Sequence, residues 1–346
     1  MDFPFMIPKK YMSKHNYLVY CNDVLASILR YVDSHNLSSK TITFSSPEQA
    51  KEFENIDHRL NDWQEWMIHN GYKEELYEVF YRHTLFSVLS DFCNYTYESI
   101  HCAAKTKIWV AYALLRKPFR DNLGYIEWLC ADRDDIVKRL FNGTPEEIEL
   151  KKEKAKENIR IITGKYKSLE AFSEIYSLRY DTKSDLSLEK IWNKANHLVT
   201  TYGYTRSNNG SLNFIFTNRE EMMSYVNYYY CSAPYIMAYV LELICSEFES
   251  IAGLNEFTKG YNKLIRNIKF SRAIEKLSLP KCARKYPIHI VCPKCGNIMF
   301  MDVDILYLIQ TDSLKCTYCK FVLPSFHYMF DWQKRAFSKA EYLQNK

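Results

Sequence analysis

Two pairs of cysteines constrain the end of this chain more than any other feature. They are Cys292-Pro-Lys-Cys295 and Cys316-Thr-Tyr-Cys319, with 20 residues between the pairs. Two residues between cysteines let a tight turn aim both thiolates at one point, and Gly296 supplies a permissive backbone after the first turn. Four thiolates converging on one point are the ligand set of a tetrahedral Zn²⁺ with a full coordination sphere. No position remains for an activated water, so the expected metal is structural. His327 is a further ligand type nearby, expected to be an ordinary packing or surface histidine, and Asp302 to Leu308 between the pairs predicts a short helix.

An odd total of eleven cysteines in 346 residues fits a reducing compartment better than a disulfide framework. Cys21, Cys93, Cys102, Cys130, Cys231, Cys245 and Cys282 are scattered and expected to be buried thiols. Met1 to Lys10 holds no continuous apolar stretch behind its lysines, so no secretory signal is expected there. The longest apolar runs, Ile108 to Leu115 and the stretch around Tyr235 to Leu241, fall short of the roughly 20 residues that a membrane-spanning helix needs. The expectation is a soluble cytoplasmic protein without a membrane partner. Its length leaves room for about two domains, and 47% hydrophobic residues can build a real core.

Charge is unevenly spread. Lys281 to Lys346 carries ten Lys and Arg against five Asp and Glu, and Gly253 to Pro280 carries six against two. A basic C-terminal third therefore follows a slightly acidic remainder. Within it Lys259, Lys263, Arg266, Lys269, Arg272 and Lys276 recur every three or four residues, opposite Leu264, Ile265, Ile268 and Leu277. That spacing predicts a helix over 253–280 with positive charge along one side, suited to phosphate or partner binding, or simply a solvated face.

The rest reads as mainly α. Apolar periodicity predicts helices over residues 14 to 130, punctuated at Asn36-Leu37-Ser38-Ser39, Ser45-Ser46-Pro47 and Asn70-Gly71, with Thr41 to Phe44 a candidate strand. Thr144-Pro145-Glu146-Glu147 predicts a capped start to a charged, solvated connector helix running to Arg160. Asp185 to Tyr202 predicts a helix capped by Asp185 or Ser187, with Ile191, Ala195, Leu198 and Tyr202 buried and Asn193, His197 and Thr200 on the polar face. A brief strand at Leu212 to Phe216 precedes a helix from Arg219 to Ser250, which Pro234 should kink or split. The expected organisation is a helical body over 1–280 and a zinc domain over 281–346.

Arg116 follows the eight apolar residues Ile108 to Leu115 and precedes Pro118, so it should be partly buried against a carboxylate such as Asp121, or a phosphate. This segment, with the later Trp192-Asn193-Lys194-Ala195-Asn196-His197, resembles the helical HEPN superfamily. Asn193 and His197 match the Asn-x₃-His part of its nuclease motif, and Trp192 stands at the position of the motif arginine. The cysteine spacing is similar to that of zinc ribbons. A helical body with such a ribbon behind it also resembles the ring-activated zinc-finger RNases of bacterial phage defence. The resemblance spans roughly residues 80 to 250. It implies a multi-helix HEPN-like bundle, a homo-oligomer, and metal-independent RNA cleavage in which a ribose 2′-hydroxyl attacks the adjacent phosphate. His197 would move protons, Asn193 would hold the histidine or a phosphate oxygen, and Arg116, or else Lys194 or Arg206, would stabilise the growing charge. The ribbon would grip RNA or sense a protein trigger. The alternative is a non-enzymatic zinc-ribbon scaffold that binds protein or nucleic acid. No phosphate-loop, dinucleotide or H-E-x-x-H motif is present.

Overall fold

The computed structural model describes residues 7–57, 62–184, 187–201, 206–207, 209–210, 212–214, 217–273, 289–291, 294–300 and 313–324. The chain is mainly α. Its helices are α1 (Met12–Ser34), α2 (Pro47–Glu54), α3 (Asp62–His69), α4 (Lys73–Ala104), α5 (Ile108–Arg116), α6 (Leu123–Ala131), α7 (Arg133–Asn142), α8 (Pro145–Ile148), α9 (Lys152–Lys165), α10 (Ile175–Arg179), α11 (Leu188–Asn196), α12 (Arg219–Ile251) and α13 (Glu256–Ala273). A π-helical segment, Lys117–Asn122, joins α5 to α6. Near the C-terminus lie the short strands β1 (His289–Val291), β2 (Ile298–Phe300), β3 (Ser313–Lys315) and β4 (Val322–Pro324).

Helix ends follow from the residues placed there. α1, α3, α4 and α12 each stop just before a left-handed residue: Asn36, Gly71, Thr106 and Gly253, with φ of 52°, 86°, 58° and 61°. In each case the next N–H reaches back across the turn. Leu37 bonds Val32 O at 2.9 Å, Tyr72 bonds Met67 O at 2.8 Å, Lys107 bonds Cys102 O at 2.9 Å and Leu254 bonds Glu249 O at 3.0 Å. Carbonyls that the helix would leave open are thereby satisfied. At the other end of a helix, Ser46 accepts from Gln49 N at 3.3 Å with Pro47 in the first turn of α2.

The chain divides into two compact units. The first comprises Met1–Ile28, Tyr97–Tyr112 and Ser207–Lys346, and the second comprises Leu29–Thr96 and Ala113–Arg206. The boundary expected near residue 281 lies outside the described residues.

In the first unit, α12 runs unbroken through Pro234 and buries Val226, Tyr229, Tyr230, Ile236, Met237, Val240 and Ile244. The tyrosine excess is largely interior here, and buried hydroxyls find partners. Tyr229 OH and Ser99 Oγ lie 2.9 Å apart, and Tyr112 OH donates to Tyr225 O at 2.9 Å. Leu212 to Phe214 is not a strand: Phe214 sits at φ 63° and stacks on Trp109 with ring centres 3.8 Å apart. Buried His15 shares a hydrogen bond with Tyr230 OH at 3.1 Å. Burial first, then the like charge of His101, lowers its pKa to about 4. Between that value and the ordinary histidine range near ~6.5, the unfolded chain binds a proton that the fold refuses, so stability falls as pH drops through this window. The expected loss is on the order of 2 kcal/mol between pH 7 and pH 4. Urea denaturation at both pH values should show this loss in the native chain and a smaller one in His15→Gln.

The second unit is centred on α6, of which Leu123, Gly124, Ile126, Glu127, Trp128, Leu129 and Cys130 are buried. A Cβ on Gly124 would come 2.1 Å from Leu150 Cδ2 and 2.9 Å from Tyr180 OH, so only glycine permits this approach. Thr41 to Phe44 forms no strand. Phe44 instead joins an aromatic cluster with Phe53, Trp63, Trp66, Phe80 and Phe141 around Met67, Tyr72 and Leu76. Glu147 accepts from the Thr144 N–H at 3.0 Å, as a capped start requires. The expected connector helix, however, is two helices. α8 ends at Ile148, whose carbonyl takes the Tyr125 hydroxyl at 2.9 Å, and α9 restarts at Lys152. Nor is α9 solvated all round, because Ala155, Asn158, Ile159 and Ile162 are buried.

Both side-chain amide atoms of Asn158 are buried without a partner among the described residues. An unpaired buried amide costs more than its apolar replacement, so Asn158→Leu should raise the unfolding free energy by about 1 kcal/mol. A shift of the urea midpoint to higher concentration at unchanged slope would show it; a shift to lower concentration would mean the amide is satisfied in solution.

Candidate metal centre

Cys295 lies between β1 and β2, and Cys316 and Cys319 lie between β3 and β4, in the tips of two hairpins. β1 pairs antiparallel with β2 with Val291 opposite Ile298, and β3 pairs antiparallel with β4 with Lys315 opposite Val322. The residue after the second cysteine of each pair takes positive φ: Gly296 at 72° and Lys320 at 60°. Glycine does this at no steric cost, whereas lysine there costs about 1–2 kcal/mol. In the second tip the strain is offset by backbone bonds, Cys316 N to Phe321 O at 2.8 Å and Lys320 N to Cys316 O at 3.0 Å.

The two tips bring their sulfurs together. Cys295, Cys316 and Cys319 Sγ atoms all lie within 4.8 Å of one another, and Cys316 is fully buried. Cys295 Sγ and Cys316 Sγ are 3.7 Å apart. A disulfide needs about 2.05 Å. Two thiolates bound at about 2.3 Å to one tetrahedral ion sit about 3.8 Å apart. The spacing therefore fits co-ligands of a metal, and the three thiols can hold one. Cys292, Asp302 to Leu308 and His327 lie outside the described residues. Of the scattered cysteines, Cys21, Cys93, Cys130 and Cys245 are buried as expected, and burial pushes the Cys93 thiol up to about 12. Cys102 is half-buried, Cys231 is exposed, and Cys282 lies outside the described residues.

Asn193 and His197 do not share a helix face. α11, capped by Ser187, ends at Asn196, whose side-chain amide donates to Trp192 O at 2.8 Å. His197 lies beyond the end, exposed, with extended backbone at φ −132° and ψ 131°. The anticipated buried stripe is also displaced. Leu188, Glu189 and Trp192 are buried, Leu198 is 64% exposed, and Tyr202 lies outside the described residues. Thr200, expected on the polar face, is buried. Trp192, fully buried, sets the face because its large ring outweighs Ile191 and Ala195 in the area it removes from water.

Arg116 is half-buried at the start of the π-helical segment and, among the described residues, takes no carboxylate. Asp121 is taken by Arg120, which also bonds Glu189 Oε2 at 3.1 Å. The fully buried pair that the sequence reading missed is Arg179 with Glu127. Its signal is the single acid in the otherwise apolar run Ile126 to Cys130.

The basic helix is not one charged face. Arg266 is buried, with Nε 2.7 Å from Glu242 Oε1 and Nη1 3.2 Å from Glu249 Oε1, so it belongs to the interior of the first unit. Lys259 pairs with Glu256 at 2.9 Å, Lys269 lies over the Tyr20 ring and Lys263 is exposed. The Arg272 side chain and all of Lys276 lie outside what the structure describes. Among the described residues no helix is long and apolar enough to cross a membrane. Comparison with protein-family models, with curated proteins and with solved structures finds no match to this chain.

Proposed function

We propose that this chain is a recognition protein whose two hairpin tips fold on one structural Zn²⁺, held by Cys292, Cys295, Cys316 and Cys319, to form a zinc ribbon that engages a partner while the helical units act as scaffold. The observation that carries this reading is the 3.7 Å separation of Cys295 and Cys316 Sγ. Soft thiolate ligands in tetrahedral spacing favour zinc over magnesium or calcium. Reduced thiols suit a cytoplasmic location. Metal analysis of the purified chain should return about one zinc per molecule; a metal-free but folded chain would refute the ribbon.

A second reading has one observation in its favour. Arg116, half-buried with no carboxylate among the described residues, is available to an anionic ligand. It could serve a HEPN-like, metal-independent endoribonuclease of the antiphage type, switched on by trigger-driven oligomerisation, with His197 and Asn193 completing the site. RNA incubated with the chain in excess chelator decides between the two. Cleavage that disappears in His197→Ala and Arg116→Ala establishes the nuclease, and intact RNA under every assembled condition leaves the scaffold.

A further inference from the structure

The second hairpin tip presents side chains that the metal does not use. Tyr318, between two thiols of the cage, is 64% exposed, and Phe321, just after them, is 38% exposed. Tyr318 is the most exposed large aromatic side chain among the described residues, in a chain that buries many of its tyrosines. Its backbone lies within a turn closed by the Cys316 N–H to Phe321 O and Lys320 N–H to Cys316 O bonds, so the ring is held out at little further entropic cost. Exposed Lys320 lies between Tyr318 and Phe321 in sequence, and its ammonium donates to Thr317 O at 2.8 Å. Exposed Lys294, at the position that Tyr318 holds in the second tip, lies beside Cys295 in the first tip, which the cage brings to the second. Residues 289–300 and 313–324 contain Lys294, Lys315 and Lys320 and no Asp or Glu. These two segments therefore carry basic charge and no acidic residue beside two exposed aromatic side chains.

Resting on the zinc-ribbon reading above, we infer that this face binds single-stranded nucleic acid, with an unpaired base stacked on Tyr318, a second on Phe321, and the flanking phosphates held by Lys294 and Lys320. Aromatic faces accept any base, and each stacked base contributes enough that its loss weakens binding roughly tenfold. Lysines on phosphates add affinity that salt removes. A duplex keeps its bases stacked on one another and offers the ring nothing. A protein partner of ordinary composition would not require two segments that carry lysines and no acid.

Fluorescence anisotropy with a labelled single-stranded RNA 12-mer, its DNA counterpart and an RNA duplex tests this on the full chain. Zinc content is measured on each variant. The expected result is binding of a single strand in preference to the duplex, weakened roughly tenfold in Tyr318→Ala and in Phe321→Ala but kept in Tyr318→Trp. Lys294→Ala and Lys320→Ala should each reduce the slope of log affinity against log salt by about 0.7. The RNA and DNA arms tell which strand is preferred. Zinc-loaded protein that ignores both single strands, prefers the duplex, or binds equally after Tyr318→Ala overturns this inference while the ribbon stands. Protein without zinc removes both.

Discussion

Arg179→Met should lower the unfolding free energy by about 3–5 kcal/mol, enough to unfold much of the second unit. The guanidinium is fully buried and serves three groups at once. It pairs with Glu127, donates through Nε to Phe119 O at 2.5 Å, and donates through Nη2 to Tyr180 OH at 2.9 Å. Tyr180 in turn donates to Arg120 O at 2.8 Å. Removing the cation strands a carboxylate in the interior and leaves a carbonyl of the π-helical segment without its donor. Far-UV circular dichroism against urea would measure the loss. Arg179→Met combined with Glu127→Leu should recover part of it, because the stranded carboxylate goes as well. If the single substitution costs under about 1 kcal/mol, the pair is not buried as described.

Cys316→Ser should reduce bound zinc from about one per chain to near none at micromolar free metal. Cys316 is the most enclosed of the three described thiols and lies between β3 and the tip. In small zinc domains the metal contributes on the order of 10–16 kcal/mol, and the domain does not fold without it. The two hairpins have three-residue strands, too short to hold by backbone pairing alone. The helical signal should persist, since α6 and α12 are packed in apolar cores that owe nothing to the cage. Metal analysis and far-UV circular dichroism on one sample separate the two effects. Retained zinc in Cys316→Ser would show that these sulfurs are not the ligand set.

The grouping of Cys295, Cys316 and Cys319 was legible because the spacing of such turns is local. Helix ends were legible for the same reason, as at Asn36, Gly71 and Thr144. What failed depended on distant partners. Arg266 repeats with its neighbours like a solvated charge, and only Glu242 and Glu249, two helical turns apart on α12, draw it inward. Arg116 looked like the arginine that needs Asp121, but Arg120 takes that acid and Glu189 with it. His197 could be placed on a helix by counting from Asn193. The count could not show that the helix would stop at Asn196, whose side-chain amide turns back onto Trp192 O, well short of the expected Tyr202.

The π-helical turn at Lys117–Asn122 sets the rotational phase of everything after it. A π turn holds one more residue than an α turn, and each α-helical residue advances the side chain by about 100°. Winding the same residues at ordinary α pitch would swing α6 by about that angle. Glu127 would leave its arginine, and Gly124 would no longer meet Leu150. The extra residue is thus a built-in offset that aligns the apolar run ending at Leu115 with the acid-bearing run that follows it.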